Sequence, residues 1–230
     1  SFSVEHNFNG VVLVYDLGGG TFDVTILRSE RGDFDIVHTA GDQNLGGFDF
    51  DNVIIAWAKD EFLKRTGITL EDDDETEALL RERAEQAKHR LSTSEQAPLF
   101  VNAQGRNEKL ILTRAEFERL AAGLLARTEM LVDEVIEDSG VSRTQIDKVL
   151  LVGGSTRMPM VPAMVRRITN QAPDQTVHPD EAVARGAAIV AAIRSAGARG
   201  EVAPVVGDHD IVINDVVSHG LGVVADNDRG

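Results

Sequence analysis

Apolar residues recur along this chain in two rhythms, and the rhythm changes at glycines. Residues 11–16 are almost continuously apolar up to Asp16 and predict a buried strand. Beyond Gly18, Gly19 and Gly20, residues 21–27 alternate apolar and polar with period two, which predicts a second strand. Residues 34–39 predict a third, entered through a turn at Arg31, Gly32 and Asp33, and an antiparallel meander is the simplest way to join the three. From Gly46 and Gly47 onward the period becomes helical, with Phe50, Val53, Ile54, Trp57, Ala58 and Phe62 on one face, until Thr66 and Gly67 end it. Residues 76–91, rich in Ala, Leu, Glu, Arg and Lys, predict a second helix. The acidic run at residues 71–75 before it either loads the helix N-terminus or is a solvated loop.

Residues 97–101 and 109–112 predict two strands joined at Gly105. Thr113 and Glu116 have the spacing of a capping box, and the helix they open carries Phe117, Leu120, Leu124 and Leu125. Its pattern continues through Met130, Leu131, Val135 and Ile136 to Gly140, after which Ser142 caps a short turn. Residues 148–152 form a buried strand that runs into Gly153 and Gly154. Pro159 opens a short helix over residues 160–169, and residues 181–196 form a last one whose small side chains suit close packing against a sheet. Residues 197–209, rich in Gly, Pro and Ala, read as a linker, and Ile211, Val212 and Ile213 beyond it as a docking strand.

Composition narrows the function classes. The 230 residues suffice for one large domain or two small ones, and 42% hydrophobic with 27% charged residues is an ordinary globular balance. Cysteine is absent, which excludes disulfides and thiolate metal sites and fits the cytoplasm. A formal net charge of -15 argues against non-specific nucleic-acid binding, so an anionic ligand needs a local exception to the surface field. No apolar stretch is long enough for a membrane span. Residues 1–7 carry neither an initiator Met nor a signal-peptide pattern and read as an excised start.

Three segments then carry chemistry. In the first, Asp16 ends a strand, Gly18, Gly19 and Gly20 follow, and Thr21 adds a hydroxyl. Glycines let backbone N–H groups approach phosphate oxygens, and Asp16 with Asp23 could reach a phosphate-bound Mg²⁺ through its waters; a bare three-glycine hairpin turn has the same spacing. In the second, a strand ends in Gly153 and Gly154, then Ser155 and Thr156, then Arg157, which can stack on a base, pair with a phosphate, or simply fix a surface loop. In the third, Glu85, Lys88 or His89, and Ser92 share a helix face that could hold a ribose and flank a base, or could be a solvated ion pair. No serine or cysteine nucleophile with a histidine partner is evident, so any action on a nucleotide is positional and electrostatic. His6, His38, His209 and His219 have no convergent partners.

At this point the chain resembles a family. Residues 16–23 resemble the second phosphate motif of DnaK-type 70-kilodalton heat-shock chaperones, and Gly41, Asp42, Leu45, Gly46, Gly47, Asp49, Phe50 and Asp51 the segment that follows it. Residues 85–92 resemble the family's adenosine-holding helix, residues 112–117 a later helix start, residues 152–159 the adenosine motif, and residues 179–188 the helix that closes the lobe. The matches keep family order over residues 11 to 196, a combination that actins and sugar kinases lack.

The resemblance implies an α/β, ribonuclease-H-like (actin-like ATPase) lobe II, with a mixed sheet, helices and an inserted α/β subdomain. Residues 1–198 would be the lobe, with subdomain IIA at 1–45 and 122–198 and IIB at 46–121; 199–217 would be the interdomain linker and 218–230 the start of the peptide-binding domain or a tail. It implies that Gly18, Gly19, Gly20 and Thr21 hold phosphates of ATP or ADP, and that Asp16 and Asp23 lie near Mg²⁺ and a monovalent cation such as K⁺. Glu85, Lys88, His89 and Ser92 would contact ribose and base, and Gly153, Gly154, Ser155 and Arg157 would complete the adenosine pocket with Asp180 close by. The implied partners are the first lobe of the same protein, a nucleotide-exchange factor on subdomain IIB and a J-domain co-chaperone near the linker. Client peptide would bind only through the peptide-binding domain, and neither nucleic acid nor membrane is implied. Without the first lobe, significant hydrolysis is not expected.

Three positions depart from the family pattern: Phe48 stands where Glu is usual, His89 where eukaryotic relatives often have Arg, and Asn214 in the linker's aliphatic run. The tripeptide His178, Pro179, Asp180 also marks J-domains, but here it precedes a helix of small residues and reads as a helix start. Two other readings remain: a nucleotide-independent interaction module of a divergent chaperone-like protein, and an actin-like or sugar-kinase-like ATPase.

Overall fold

The computed structural model describes residues 8–30, 33–70, 73–174, 178–199 and 213–214. The meander forms from β1 (Gly10–Leu17), β2 (Phe22–Glu30) and β3 (Asp33–Asp42), each antiparallel to the next. In β1 the side chains of Val11, Val12, Leu13, Tyr15 and Leu17 are all buried, as a strand covered on both faces requires. β2 buries Phe22, Val24 and Ile26 and leaves Asp23 outside, the alternation of a strand with one wet face. The later strand β6 (Ile146–Val152) pairs parallel to β1, giving a mixed sheet in the order β6-β1-β2-β3. A last short strand, β7 (Ile213–Asn214), pairs parallel to β3 at Phe34 and Asp35. The remaining linker and tail assignments, residues 200–212 and 215–230, lie outside the described residues.

Between β3 and β6 the chain builds a second layer. It holds α1 (Gly47–Thr66), α2 (Asp74–Leu91) and the hairpin of β4 (Gln96–Ala103) with β5 (Arg106–Thr113). α1 buries Phe50, Ile54, Ala58 and Phe62 and stops at Gly67, whose φ of 71° lets its N–H reach Leu63 O at 2.8 Å. Burial of each large side chain is worth roughly 1.5–3 kcal/mol. α2 starts two residues earlier than the pattern places it, because Asp73 caps it: Oδ1 accepts from Thr76 N at 2.9 Å. The acidic residues Asp74, Glu75 and Glu77 therefore occupy the first turn, where the helix dipole favours them.

α3 (Arg114–Asp138) is one continuous helix of 25 residues that joins the two layers. Its first turns pack on α1 and β5, with Phe117 edge-on to Phe50 at 6.5 Å. Its later turns lie on β2 and β3, and Thr128 accepts a buried hydrogen bond from Tyr15 at 2.8 Å. Only the Thr113 half of the expected capping box forms; the Glu116 carboxylate is drawn to Arg119 instead. Met130, which the helical pattern includes, is exposed. His38, expected to lack a partner, lies 3.6 Å from Asp138.

After β6 a tight 3-10 turn, Gly154–Arg157, leads into α4 (Met160–Thr169), which packs on α3. α5 (Ala182–Arg199) runs two residues past Gly197, where the linker was expected to begin. Its small residues are not packed on the sheet: Ala184, Gly186, Ala187 and Ala188 are exposed and Val183 is 62% exposed. Among the described residues no helix is long and apolar enough to cross a membrane.

Candidate functional site

The β1–β2 connection is a tight turn closed by Gly18 N donating to Thr21 O at 3.0 Å. Its two carbonyls are gripped from outside. Gly47 N donates to Gly18 O at 3.0 Å, Phe48 N to Gly19 O at 2.8 Å, and Ser155 Oγ to Gly18 O at 2.8 Å. The Gly46 backbone passes so near that a Cβ there would lie 2.5 Å from Gly20 Cα, which explains the glycine. Gly19, Gly20 and Thr21 are exposed, and among the described contacts the Gly19 and Gly20 amides donate to no protein acceptor. Asp16 and Asp23 occupy paired positions on β1 and β2 and so project from one face. Burial, and then the charge of Asp23, hold the Asp16 carboxyl above its ordinary value.

A second turn meets the first from β6. Gly153 has φ 85°, and a Cβ there would collide with the Leu17 carbonyl and come within 2.8 Å of Asp16 Oδ1. Its N–H is held by Pro179 O at 3.1 Å, which brings the start of α5 to the same place. Thr156 is buried and its hydroxyl turns back to Gly153 O at 2.6 Å. Arg157 does not hang free: Nη2 donates to Asp180 Oδ2 at 2.6 Å. That bond holds the Asp180 carboxyl below its ordinary value, and His178 Nδ1 lies 3.9 Å from the same oxygen.

α2 supplies the third wall. Lys88 is buried, with Nζ donating to Gly47 O at 2.9 Å and to Asp51 Oδ2 at 3.0 Å. Glu85 and His89 are exposed and 4.0 Å apart. One turn earlier Arg81 stacks over the Phe48 ring at 3.8 Å and donates to Glu77 at 2.8 Å. The far end of α2 is clamped by Arg114, whose guanidinium donates to Leu91 O at 2.9 Å, Ser94 O at 3.1 Å and Glu95 Oε1 at 2.7 Å.

These walls enclose a cavity of about 630 Å³, within the size range of small-molecule sites. Nine of the residues singled out from the sequence line it: Gly19, Glu85, Lys88, His89, Ser92, Gly154, Ser155, Arg157 and Asp180. Gly18, Gly20, Thr21, Asp16, Asp23 and Gly153 build the adjoining turns and strand ends without lining it. The lining also includes Gly47, Phe48, Asp51, Arg81, Thr93 and Met158. Arg81 could have been found by extending the Glu85 face one turn back, and Asp51 by noticing an acid inside the buried face of α1. Four cationic or titratable donors, Arg81, Lys88, His89 and Arg157, stand in this wall of an otherwise anionic chain. Among the described residues no group of three or more His, Asp or Glu side chains is gathered to hold a metal.

A family model described as Hsp70 protein matches residues 3–229. The sequence is 41% identical to a protein named "Chaperone protein dnaK" from Trieres chinensis over 97% of this chain, and 41% identical to one of that name from Phaeodactylum tricornutum over the same share. A third, from Guillardia theta, is 39% identical, also over 97% of the chain. The match covers 36%, 36% and 35% of those proteins, so the chain spans about a third of the length of the curated relatives it matches.

Proposed function

The chain belongs to the Hsp70 family, and from that premise we propose that its cavity takes an adenine nucleotide as one half of a two-lobed ATP site. The observation that carries this reading is the convergence of three sequence-distant segments, residues 18–20, 85–92 and 153–157, around one cavity with unengaged backbone amides beside it. The amides of Gly19 and Gly20 and the Thr21 hydroxyl take phosphate oxygens, while Gly18 closes the turn that aims them. Glu85 and Ser92 hydrogen-bond a ribose, and Lys88 offers its remaining N–H. His89 and Arg157 flank the base, with Asp180 holding the guanidinium in place. Gly153, Gly154 and Ser155 bring the two turns together.

The carboxylates of Asp16 and Asp23 fit a cation that accompanies the phosphates, because two acids lie on one face, one raised by burial and by the other, with no ion pair to a cationic side chain among the described residues. They would hold Mg²⁺ through its waters, or a monovalent cation such as K⁺; Mg²⁺ supplies neutralisation of phosphate charge. On the same reading residues 1–45 and 122–198 form subdomain IIA and 46–121 subdomain IIB of lobe II, followed by a linker at 199–217 and the start of a peptide-binding domain at 218–230. The longer protein is then a chaperone that couples ATP hydrolysis to peptide binding and release, with a J-domain co-chaperone acting near the linker. The chain by itself performs no significant hydrolysis, since half of the preorganised field is supplied elsewhere.

Calorimetric titration of Mg·ADP and Mg·ATP into the 230-residue chain tests the reading. Saturable heat supports it; a folded chain that gives none up to millimolar nucleotide counts against a preformed half-site.

A separate observation favours an additional role. The outer face of the β4–β5 hairpin exposes Phe100 (51%) and Ile111 (41%) at neighbouring pair positions, opposite Lys109 and Pro98. Such an apolar patch suits an exchange factor docking on subdomain IIB. Loss of exchange-factor binding in Phe100→Asp, with nucleotide binding retained, is the expected result.

A further inference from the structure

The cleft contains a buried ion pair, and the nucleotide reading leaves one partner, Asp51, without a task. Asp51 sits one helical turn after Gly47 on α1, and Lys88 faces it from α2; each is 6% exposed. Lys88 Nζ lies 2.9 Å from Asp51 Oδ1 and 3.0 Å from Oδ2, and it donates to Gly47 O at 2.9 Å. Burying two charges costs more than their attraction returns unless further hydrogen bonds complete the arrangement. Here the completing acceptor is a backbone carbonyl, and that carbonyl belongs to the first turn of α1, whose amides grip the glycine turn.

We infer that Asp51 is a positioning residue: it holds the Lys88 ammonium against Gly47 O, and so fixes α2 and the Gly18–Gly19 turn as one rigid wall of the cleft. The linkage runs without a gap. Asp51 orients Lys88, Lys88 holds Gly47 O, and the amides of Gly47 and Phe48 on either side of that carbonyl hold Gly18 O and Gly19 O. Ser155 Oγ joins the second turn to the same Gly18 carbonyl. The face of α2 that carries Glu85, His89 and Ser92 therefore cannot shift against the glycine turn without breaking the Lys88 contacts. The Asp51 Oδ1 atom is buried and faces Lys88 Nζ at 2.9 Å, so the ammonium is the charged neighbour that offsets its burial. Nothing else lining the cavity offers Lys88 a replacement carboxylate inside the wall: Glu85 is exposed and Asp180 is engaged by Arg157.

The consequence for ligand binding rests on the nucleotide reading; the consequence for the first turn of α1 does not, and the two are separable. In the unmodified chain, the Lys88 ammonium should give a protected ¹⁵Nζ signal by NMR, whereas that of Lys64, on the surface, exchanges fast. A Lys88 signal that exchanges like that of Lys64 overturns the inference with no variant needed. In Asp51→Asn, hydrogen exchange at the Gly47 and Phe48 amides should accelerate about tenfold or more, while Leu99 and Leu110 in β4–β5 keep wild-type protection. Lys88→Met, alone or combined with Asp51→Asn, should give the same acceleration rather than a larger one, since both act through one contact. Unchanged exchange at Gly47 and Phe48, or uniform acceleration across the fold, overturns the inference. Mg·ADP should bind Asp51→Asn about tenfold more weakly than wild type. A wild-type chain with a protected Lys88 and Asp51-dependent exchange at Gly47 and Phe48 that takes up no Mg·ADP leaves the positioning role standing and removes the nucleotide reading.

Discussion

Arg157 Nη2 and Asp180 Oδ2 stand 2.6 Å apart and join the turn after β6 to the start of α5 across the cavity wall. Both side chains are about half exposed, so solvent screening keeps the pair's contribution to stability below about 1 kcal/mol. Its sign with pH is fixed. The Asp180 carboxyl is held below its ordinary value by Arg157, so the contribution is present above the unfolded carboxyl's pKa of about 3.9 and is lost as pH falls through the folded value. Urea denaturation should therefore show a small stability gap between wild type and Asp180→Asn at pH 7 that narrows as pH falls below about 4. Mg·ADP affinity should fall several-fold in the variant at pH 7, because the guanidinium loses its anchor. A gap that does not narrow as pH falls below about 4 would assign the stability difference to something other than the ion pair.

Tyr15 and Thr128 link β1 to α3 at the centre of the core. The Tyr15 hydroxyl donates to Thr128 Oγ1 at 2.8 Å, and Thr128 donates onward to Leu125 O at 2.8 Å. Thr128→Val leaves a buried phenol without an acceptor and should cost about 1–3 kcal/mol, whereas Tyr15→Phe should cost about 0.5–1.5 kcal/mol. The double variant should be more stable than the sum of the two losses implies. Burial raises the Tyr15 pKa, so its contribution is complete below the unfolded phenol's pKa of about 10 and declines as pH rises past it. Chemical denaturation between pH 8 and 11 measures that decline.

Arg114 fixes the end of α2 through three hydrogen bonds of one guanidinium. Arg114→Ala should cost about 1.5–3 kcal/mol, the scale of hydrogen bonds to a charged group, and Arg114→Lys should recover little because an ammonium cannot reproduce the planar fork. Thermal unfolding compares the three proteins. If Lys restores the wild-type midpoint, charge rather than geometry holds that helix end.

The elements that were legible in the sequence are those whose signals are local. The glycine turns, the β2 alternation and the α2 face are each read within a dozen residues, and α4 begins where Pro159 places it. What the spacing could not say is which groups are turned inward. Ser155 reads as a ligand donor and Lys88 as a ligand donor or half of a solvated ion pair, yet the Ser155 hydroxyl reaches Gly18, 137 residues away, and the Lys88 ammonium reaches Asp51 and Gly47, 37 and 41 residues away. Arg157 reads either as a ligand-facing cation or as a residue that fixes a surface loop, and it is paired with Asp180. The small residues of α5 carry no record of what they face, and in this fold Ala184, Gly186, Ala187 and Ala188 face solvent. Pattern fixes a residue's side of an element, but only the tertiary pairing decides whether its polar atom is available.

Two glycines with positive φ separate backbone strain from steric overlap. Gly140, at φ 65°, has nothing within 4 Å of a would-be Cβ, so Gly140→Ala should cost only the conformational strain, about 1–3 kcal/mol. Gly153, at φ 85°, adds a collision with the Leu17 carbonyl and an approach to Asp16. Relief there must push β6 away from β1 at the point where both strands deliver the cleft residues. Gly153→Ala should thus be more destabilising than Gly140→Ala in urea titration and should also weaken Mg·ADP, while Gly140→Ala leaves affinity unchanged. Equal destabilisation by the two, with equal affinity, would mean that the β1 and β6 ends yield without cost and do not shape the cleft.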